Sequence, residues 1–194
     1  LSARANQLAR LLQERKNISA AIAHSSGSTA LSAQPGDEQF VPLVVNWIVS
    51  EPFQGSGGHL GIFRMVKHLV DFGHECHIYV LPLHVMYDYS AQQLRDFADR
   101  YFLQTGATFH RWNGFVGEAD ATVATYWKTV AELQKLPNPG QSYYLVQDFE
   151  PYFYAVGTEY LLCENTYRAG VHCLPLGPWL EKLLRERYQC QADH

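Results

Sequence analysis

The chain has 194 residues, 47% of them hydrophobic, 13% aromatic and 18% charged, with a net charge of −4. That length suits one ordinary domain with an extension and is short for two. An acidic balance offers no bulk attraction to nucleic acid, and no apolar run approaches the roughly 20 residues that a membrane-spanning helix needs.

Leu1, Ala5, Leu8 and Leu12 recur at helical spacing, with Arg10, Gln13 and Glu14 opposite, so residues 1–24 are predicted as an N-terminal helix. This start has no apolar signal-peptide core, and it begins on Leu rather than Met, which suggests a piece of a longer chain. Residues 25–42 are small and polar and are broken by Pro35, the composition of a linker. The predicted domain is 43–194. Leu43–Val49 is a β-branched run suited to a strand covered on both faces. A glycine-rich loop, Gln54–His59, follows and leads into a helix from about Gly58 to Phe72, stopped by Gly73.

Strand His77–Leu81 ends at Pro82, and Ser90 can cap a helix to Gln104 with Leu94, Phe97, Ala98 and Tyr101 inward. Short strands at Gly106–His110 and Ala121–Thr125 precede a helix over Trp127–Leu136 that Pro137 terminates. Strand Ser142–Val146, helix Gly157–Ala169, strand Val171–Leu174 and a terminal helix opened by Gly177-Pro178 complete the chain. Strands alternate with helical crossovers, so the fold expected is α/β: a Rossmann-like, doubly wound, mostly parallel sheet with an N-terminal helical extension.

A glycine-rich loop between the first strand and its helix offers backbone N–H groups and a helix N-terminus to an anion. A dinucleotide fingerprint would need glycine at position 60, which is Leu60, and an acidic end to the second strand, which is Val80-Leu81-Pro82. Gly-Lys-Ser/Thr is absent as well, and a nucleophile elbow around Ser56 would need glycine where Gln54 stands. These failures argue against NAD, ATP hydrolysis and hydrolase chemistry. His74-Glu-Cys-His77 lacks helical zinc-ligand spacing and reads as a turn cap. Cys76, Cys163, Cys173 and Cys190 have no Cys-x-x-Cys spacing and read as buried free thiols of a reducing compartment, without a disulfide framework.

Asp148 and Glu150 alternate among Phe149, Tyr152, Phe153 and Tyr154, which pairs hydroxyl acceptors with flat apolar rings, a combination suited to sugars. Tyr126 and Trp127, at the carboxyl end of a strand, are a second candidate wall.

Two stretches carry a resemblance: Trp47–His59 continuing through Phe72–Val80, and Tyr143–Tyr154 with Gly157–Leu161. Together they resemble the N-terminal domain of family 4 glycosyltransferases, most of all the bacterial rhamnosyltransferases of surface-glycan synthesis, over about Val41 to the C-terminus. The resemblance implies one half of a GT-B enzyme, on the acceptor side. The donor domain would follow in cis, beyond Gln191–His194, and the piece alone would be inactive. It implies a nucleotide-sugar donor as substrate and a glycan acceptor; no Asp-x-Asp metal-diphosphate clamp occurs in the sequence, so no metal and no other cofactor are expected. Gly57, Gly58 and His59 match the loop that closes on the donor diphosphate. Gln147 and Asp148 match the catalytic end of the fifth strand, where many relatives have a histidine; a glutamine can hydrogen-bond a sugar but cannot take its proton. Acceptor contacts are expected from Glu150, Tyr152, Phe153, Tyr126 and Trp127. The expected location is cytoplasmic, at most peripheral to the inner membrane face, with no nucleic-acid partner. The alternative is a non-catalytic α/β binding module that docks through its N-terminal helix.

Overall fold

The computed structural model describes residues 41–193 and, from the N-terminal helix, Asn6, Ala9, Arg10 and Gln13, which are helical. The remainder of the 1–24 helix, and the linker as far as residue 40, lie outside the described residues. Ala9 packs against the core of the domain.

The domain alternates strands and helices: β1 (Val44–Ser50), α1 (Gly57–Asp71), β2 (Glu75–Leu81), α2 (Ala91–Tyr101), β3 (Thr108–Arg111), β4 (Ala121–Ala124), α3 (Trp127–Leu133), β5 (Gln141–Val146), a 3₁₀ turn (Glu150–Phe153), α4 (Thr158–Thr166), β6 (His172–Pro175) and α5 (Pro178–Tyr188). The six strands form one sheet in the order β3-β2-β1-β4-β5-β6. Every pairing is parallel. This is the doubly wound order expected of a Rossmann-like fold.

Side chains on the central strands alternate between two cores, as the period of a strand requires. Val45, Trp47 and Val49 of β1 join Tyr143 and Leu145 of β5 beneath α1 and α2, with Phe63, Val66, Leu69, Leu94 and Ala98. Ile48 joins Tyr144 and Val146 on the other face, with Val130 of α3 and Leu180 and Leu184 of α5. Helices on both faces explain why β1 reads as an unbroken apolar run rather than an alternating one. Asn46 is the buried polar exception; its side-chain amide donates to the Gly117 carbonyl at 2.8 Å and ties down the loop before β4. Among the described residues, no helix is long and apolar enough to cross a membrane.

The caps match the sequence signals. Ser90 accepts from the Gln93 N–H at 3.2 Å, and the Gln93 side chain returns the bond to the Ser90 N–H at 2.9 Å. Tyr101 departs from expectation. It is exposed and packs on Phe97, while Phe102, just past the helix end, turns inward against Phe63 with ring centroids 5.2 Å apart. Helical periodicity stops applying where the helix stops.

Pro139-Gly140 leads into β5. Gly140 has φ +67°, and a Cβ there would sit 2.5 Å from the Ala119 carbonyl oxygen and 2.7 Å from that of Asp120. Backbone strain and a clash with backbone would therefore act together at this position. Gly140→Ala is expected to destabilise the domain by about 2–4 kcal/mol, read as a lower urea midpoint. An unchanged midpoint would show that the β4–β5 connection can move.

Candidate functional site

β1 is paired with β2 on one side and β4 on the other, so the strand order reverses beside it. At such a reversal the loops leave the carboxyl ends of the strands in opposite directions and open a crevice. Here the crevice is a cleft of about 680 Å³ whose lining includes Glu51, Phe53, Gly57, Gly58, His59, His84, Tyr126, Gln147, Asp148, Glu150 and Phe153.

The glycine-rich loop forms its first lip. The Ser56 N–H donates to the Phe53 carbonyl at 3.2 Å, closing a turn whose third residue, Gly55, has φ +84°. Ser56 then caps α1, its hydroxyl accepting from the His59 N–H at 3.3 Å. Gly57 and Gly58 open the helix, so their N–H groups belong to the first turn, which has no carbonyl of its own to meet. A Cβ at Gly57 would meet nothing within 4 Å.

His59 anchors this lip from below. Its ring Nε2 lies 3.0 Å from the Ser50 carbonyl oxygen and its Nδ1 lies 2.7 Å from the Ser56 hydroxyl. A carbonyl can only accept, so Nε2 carries the proton and Nδ1 accepts from Ser56. Burial holds the imidazole below its ordinary pKa against the pull of the Ser50 carbonyl, and the ring is neutral at neutral pH. Both nitrogens are committed to joining the end of β1 to the start of α1.

The opposite lip comes from the end of β5. A Cβ at Gly58 would lie 3.5 Å from the Gln147 amide atoms, and one at Gly61 would lie 3.5 Å from Gln147 Oε1. Gln147 thus reaches across the first turn of α1, over ground left bare by two glycines. Asp148 is exposed, with Oδ1 accepting from the Phe149 N–H at 2.7 Å. Phe149 is fully buried and packs on Tyr167. The acidic-aromatic segment, expected as a loop, is a 3₁₀ turn with Pro151 in its first turn.

Two buried glutamates sit in the walls under opposite influences. Glu51 accepts backbone N–H bonds from Leu83 and His84 at 2.8 Å and from Val85 at 2.9 Å. Burial alone would raise its pKa, but these backbone donors prevail and hold it below the usual carboxylate value. Glu150 accepts one such bond, from the Trp127 N–H at 2.9 Å, and faces the Tyr144 hydroxyl. Burial dominates there, with Asp148 adding repulsion, and its pKa is pushed up to about 7.

The β4–α3 turn is organised by the Thr129 hydroxyl, which accepts from the Thr125 and Tyr126 N–H groups at 2.9 and 3.0 Å. Tyr126 reaches the cleft with its hydroxyl 2.5 Å from that of Tyr154. Burial and that neighbour keep the Tyr126 phenol protonated.

The cleft gathers Gly57, Gly58, His59, Tyr126, Gln147, Asp148, Glu150 and Phe153 from the sequence-predicted set. Trp127 and Tyr152 stand outside its lining. The Trp127 ring is buried with its N–H donating to the Tyr154 hydroxyl at 2.8 Å, while Tyr152 is exposed and packs edge-on against Phe149. Sequence reasoning missed Glu51, Thr125 and His84. The rule that ligands lie at strand carboxyl ends would have flagged all three. His74 accepts from the Leu43 N–H, whereas His77 faces Glu75 and His110, so the His-Glu-Cys-His run is dispersed. Among the described residues, no three His, Cys, Asp or Glu side chains are grouped to hold a metal ion.

Fold and site define a Rossmann-like domain with an anion-capable helix N-terminus facing an acidic and aromatic wall. Residues 83–176 match the protein-family model described as the N-terminal domain of WsaF. The chain is also 40% identical over 53 residues to the O-antigen biosynthesis protein RfbC of Myxococcus xanthus, a stretch that is 27% of this chain and 4% of that protein. The chain thus spans a small part of the length of that relative. The family match includes Tyr126 and Gln147–Phe153 but begins after the Gln54–His59 loop, so the reading of that loop rests on geometry.

The two glutamates carry opposite pH signatures. Glu51, depressed in the folded state, contributes stability above its ordinary carboxylate pKa and loses it as pH falls through the folded value. Glu51→Gln should cost about 1–3 kcal/mol at neutral pH, with the difference from wild type shrinking in acid, as followed by thermal melts. Glu150, raised in the folded state, binds more protons folded than unfolded, so its contribution to stability declines as pH rises from about 4.5 to about 7. Glu150→Gln should flatten that decline and melt no lower than wild type at pH 8. A parallel pH profile for wild type and variant would refute the burial of that carboxyl.

Proposed function

We propose that this chain is the acceptor-side half of a nucleotide-sugar-dependent glycosyltransferase of the GT-B, family 4 type. It would transfer a rhamnosyl or other hexosyl unit to a bacterial surface glycan, together with a C-terminal donor domain in cis. The observation that carries this reading is the placement of Gly57 and Gly58 against Gln147 and Asp148 across one cleft.

Glycosyl transfer needs stabilisation of charge on a departing diphosphate and alignment of an acceptor hydroxyl. The first turn of α1 offers the former through its N–H groups and the positive end of the helix. In this reading His59 acts by fixing the loop, and the backbone of Gly57 and Gly58 meets the phosphate. Asp148 and Gln147 hydrogen-bond sugar hydroxyls, and only Asp148 of the two can also accept a proton. Glu150 and Tyr126 supply polar contacts deeper in the cleft, and Phe153 an apolar face at its rim. Trp127 and Tyr152 support that wall from outside it. The chemistry proposed is metal-independent, with the nucleotide-sugar as substrate.

The test is transfer of radiolabelled sugar from a panel of nucleotide-rhamnose and related donors, using the parent protein with its donor domain. Gly57→Val, which projects into open space, should leave the melting midpoint unchanged while reducing kcat/KM at least about tenfold through lost diphosphate contact. Asp148→Asn should lower kcat more than KM. No transfer from any donor, together with saturable binding of a protein partner through the N-terminal helix, would replace this reading with a binding module.

A further inference from the structure

Away from the cleft, α5 and the segment after it fold back on the outer strand of the sheet. Gln189, in the left-handed region at φ +52°, turns the chain off the end of α5. The following residues then run beside β6: the Cys173 N–H donates to the Gln191 carbonyl at 2.8 Å and the Asp193 N–H to the Cys173 carbonyl at 3.2 Å. Cys173 and Ala192 form a parallel bridge. Arg185 secures the return by donating to the Ala192 carbonyl at 2.7 Å and to the Asp193 carboxylate at 2.9 Å.

This arrangement sets the Cys190 Sγ 2.7 Å from the Cys173 Sγ. That separation is shorter than ordinary contact between thiols and is reached by residues 17 apart in sequence. Cys76 and Cys163 are buried on β2 and α4. Cys173 is buried as well, whereas Cys190 is half-buried and lines a cavity of about 630 Å³ that also includes Arg168 and Arg187. Arg187 pairs with Glu164 at 2.9 Å, and Arg168 lies over the Tyr188 ring.

We propose that Cys173 and Cys190 form a redox-active dithiol, oxidised to a disulfide by a small anionic disulfide such as oxidised glutathione entering the cavity beside Arg168 and Arg187. Cys190 is the attacking thiol because it is the half-buried one that lines the cavity, whereas Cys173 is buried. Hydrogen bonding with Cys173 also lowers the Cys190 pKa against the effect of burial. The same hydrogen bond, reinforced by burial, raises that of Cys173. The Cys190 thiolate attacks one glutathione sulfur, forming a mixed disulfide and expelling one glutathione thiolate. Cys173 then gives up its proton and attacks the Cys190 sulfur, expelling the second. Two protein thiols lose two electrons and two protons, and the small disulfide is reduced to two thiols. The new bond closes a loop containing α5 and clips the returning segment to β6.

The test treats the whole chain with oxidised glutathione, quenches by alkylation and maps the peptides by mass spectrometry. A Cys173–Cys190 crosslink, reversed by dithiothreitol, is expected, with Cys76 and Cys163 still alkylated. The oxidised protein should melt about 5 °C or more above the reduced form, because a loop of this size is constrained in the unfolded chain. Cys173→Ser should accumulate a glutathionyl adduct at Cys190, and Cys190→Ser should leave Cys173 unmodified. Arg168→Ala should slow oxidation by glutathione disulfide several-fold but not by the neutral hydroxyethyl disulfide. Alkylation of both thiols after treatment, an unresolved adduct on Cys190 in the wild-type protein, or an unchanged melting midpoint in the crosslinked protein would overturn the proposal. Equal rates for Arg168→Ala and wild type with glutathione disulfide would overturn the anionic preference.

Discussion

Because β1 pairs in parallel with both β2 and β4, the connections from its neighbours must diverge, and the space left between them is the cleft. The rest of the site depends on that divergence. It requires β1 to be covered on both faces, and Trp47 and Ile48, on opposite faces, are both fully buried. It also requires a tight exit from β1 to α1, which Gly55 permits and which the His59 ring fastens to the Ser50 carbonyl. With that fastening in place, the N-terminus of α1 points across the sheet toward the end of β5. The two lips therefore face each other across the cleft.

The same constraint explains how one cleft holds two glutamates of different character. Glu51 lies directly at the end of β1, where the loop after β2 turns three successive N–H groups toward it, and a carboxylate with that many donors stays charged. Glu150 lies past the end of β5 under an aromatic layer formed by Phe149, Tyr144 and Tyr167, with a single backbone donor, and burial wins. One carboxylate is fixed as a structural anion and the other is left near the midpoint of its titration at neutral pH. Backbone donors and burial thus push two like groups in one cleft in opposite directions.

Much of the frame was legible in the sequence because it depends on local signals. The β-branched run of β1, the Ser90–Gln93 capping pair, Gly73 after α1 and Pro178 at the start of α5 act over a few residues, and the structure places elements where they indicate. The cleft was legible to the extent that it sits at strand ends. Gly61 was not, since its neighbour is Gln147, 86 positions later in the chain, and no local pattern announces such an approach. Glu51 escaped notice for the same reason: its partners belong to the loop after the next strand. Trp127 was read as a candidate wall of the cleft because it ends a strand; its ring N–H donates to the Tyr154 hydroxyl, a bond that only the tertiary fold creates. The Cys173–Cys190 approach depends on the left-handed turn at Gln189, a conformation that a glutamine does not signal.

The shape of the cleft bears on how the site would work. Phe53 and Phe153 both line it, yet each is 63% exposed, one on each lip. Large apolar rings held at the mouth of a polar crevice are left wet unless a second surface covers them. In the glycosyl-transfer reading, that surface is the donor half closing over the nucleotide-sugar, and burial of the two rings would add to the energy of closure. Closure would also remove water from around Asp148, the exposed carboxylate of the pair at the end of β5, and strengthen its hold on an acceptor hydroxyl. In that reading, the electrostatic advantage of the groups that would position an acceptor arises only once the cleft is shut.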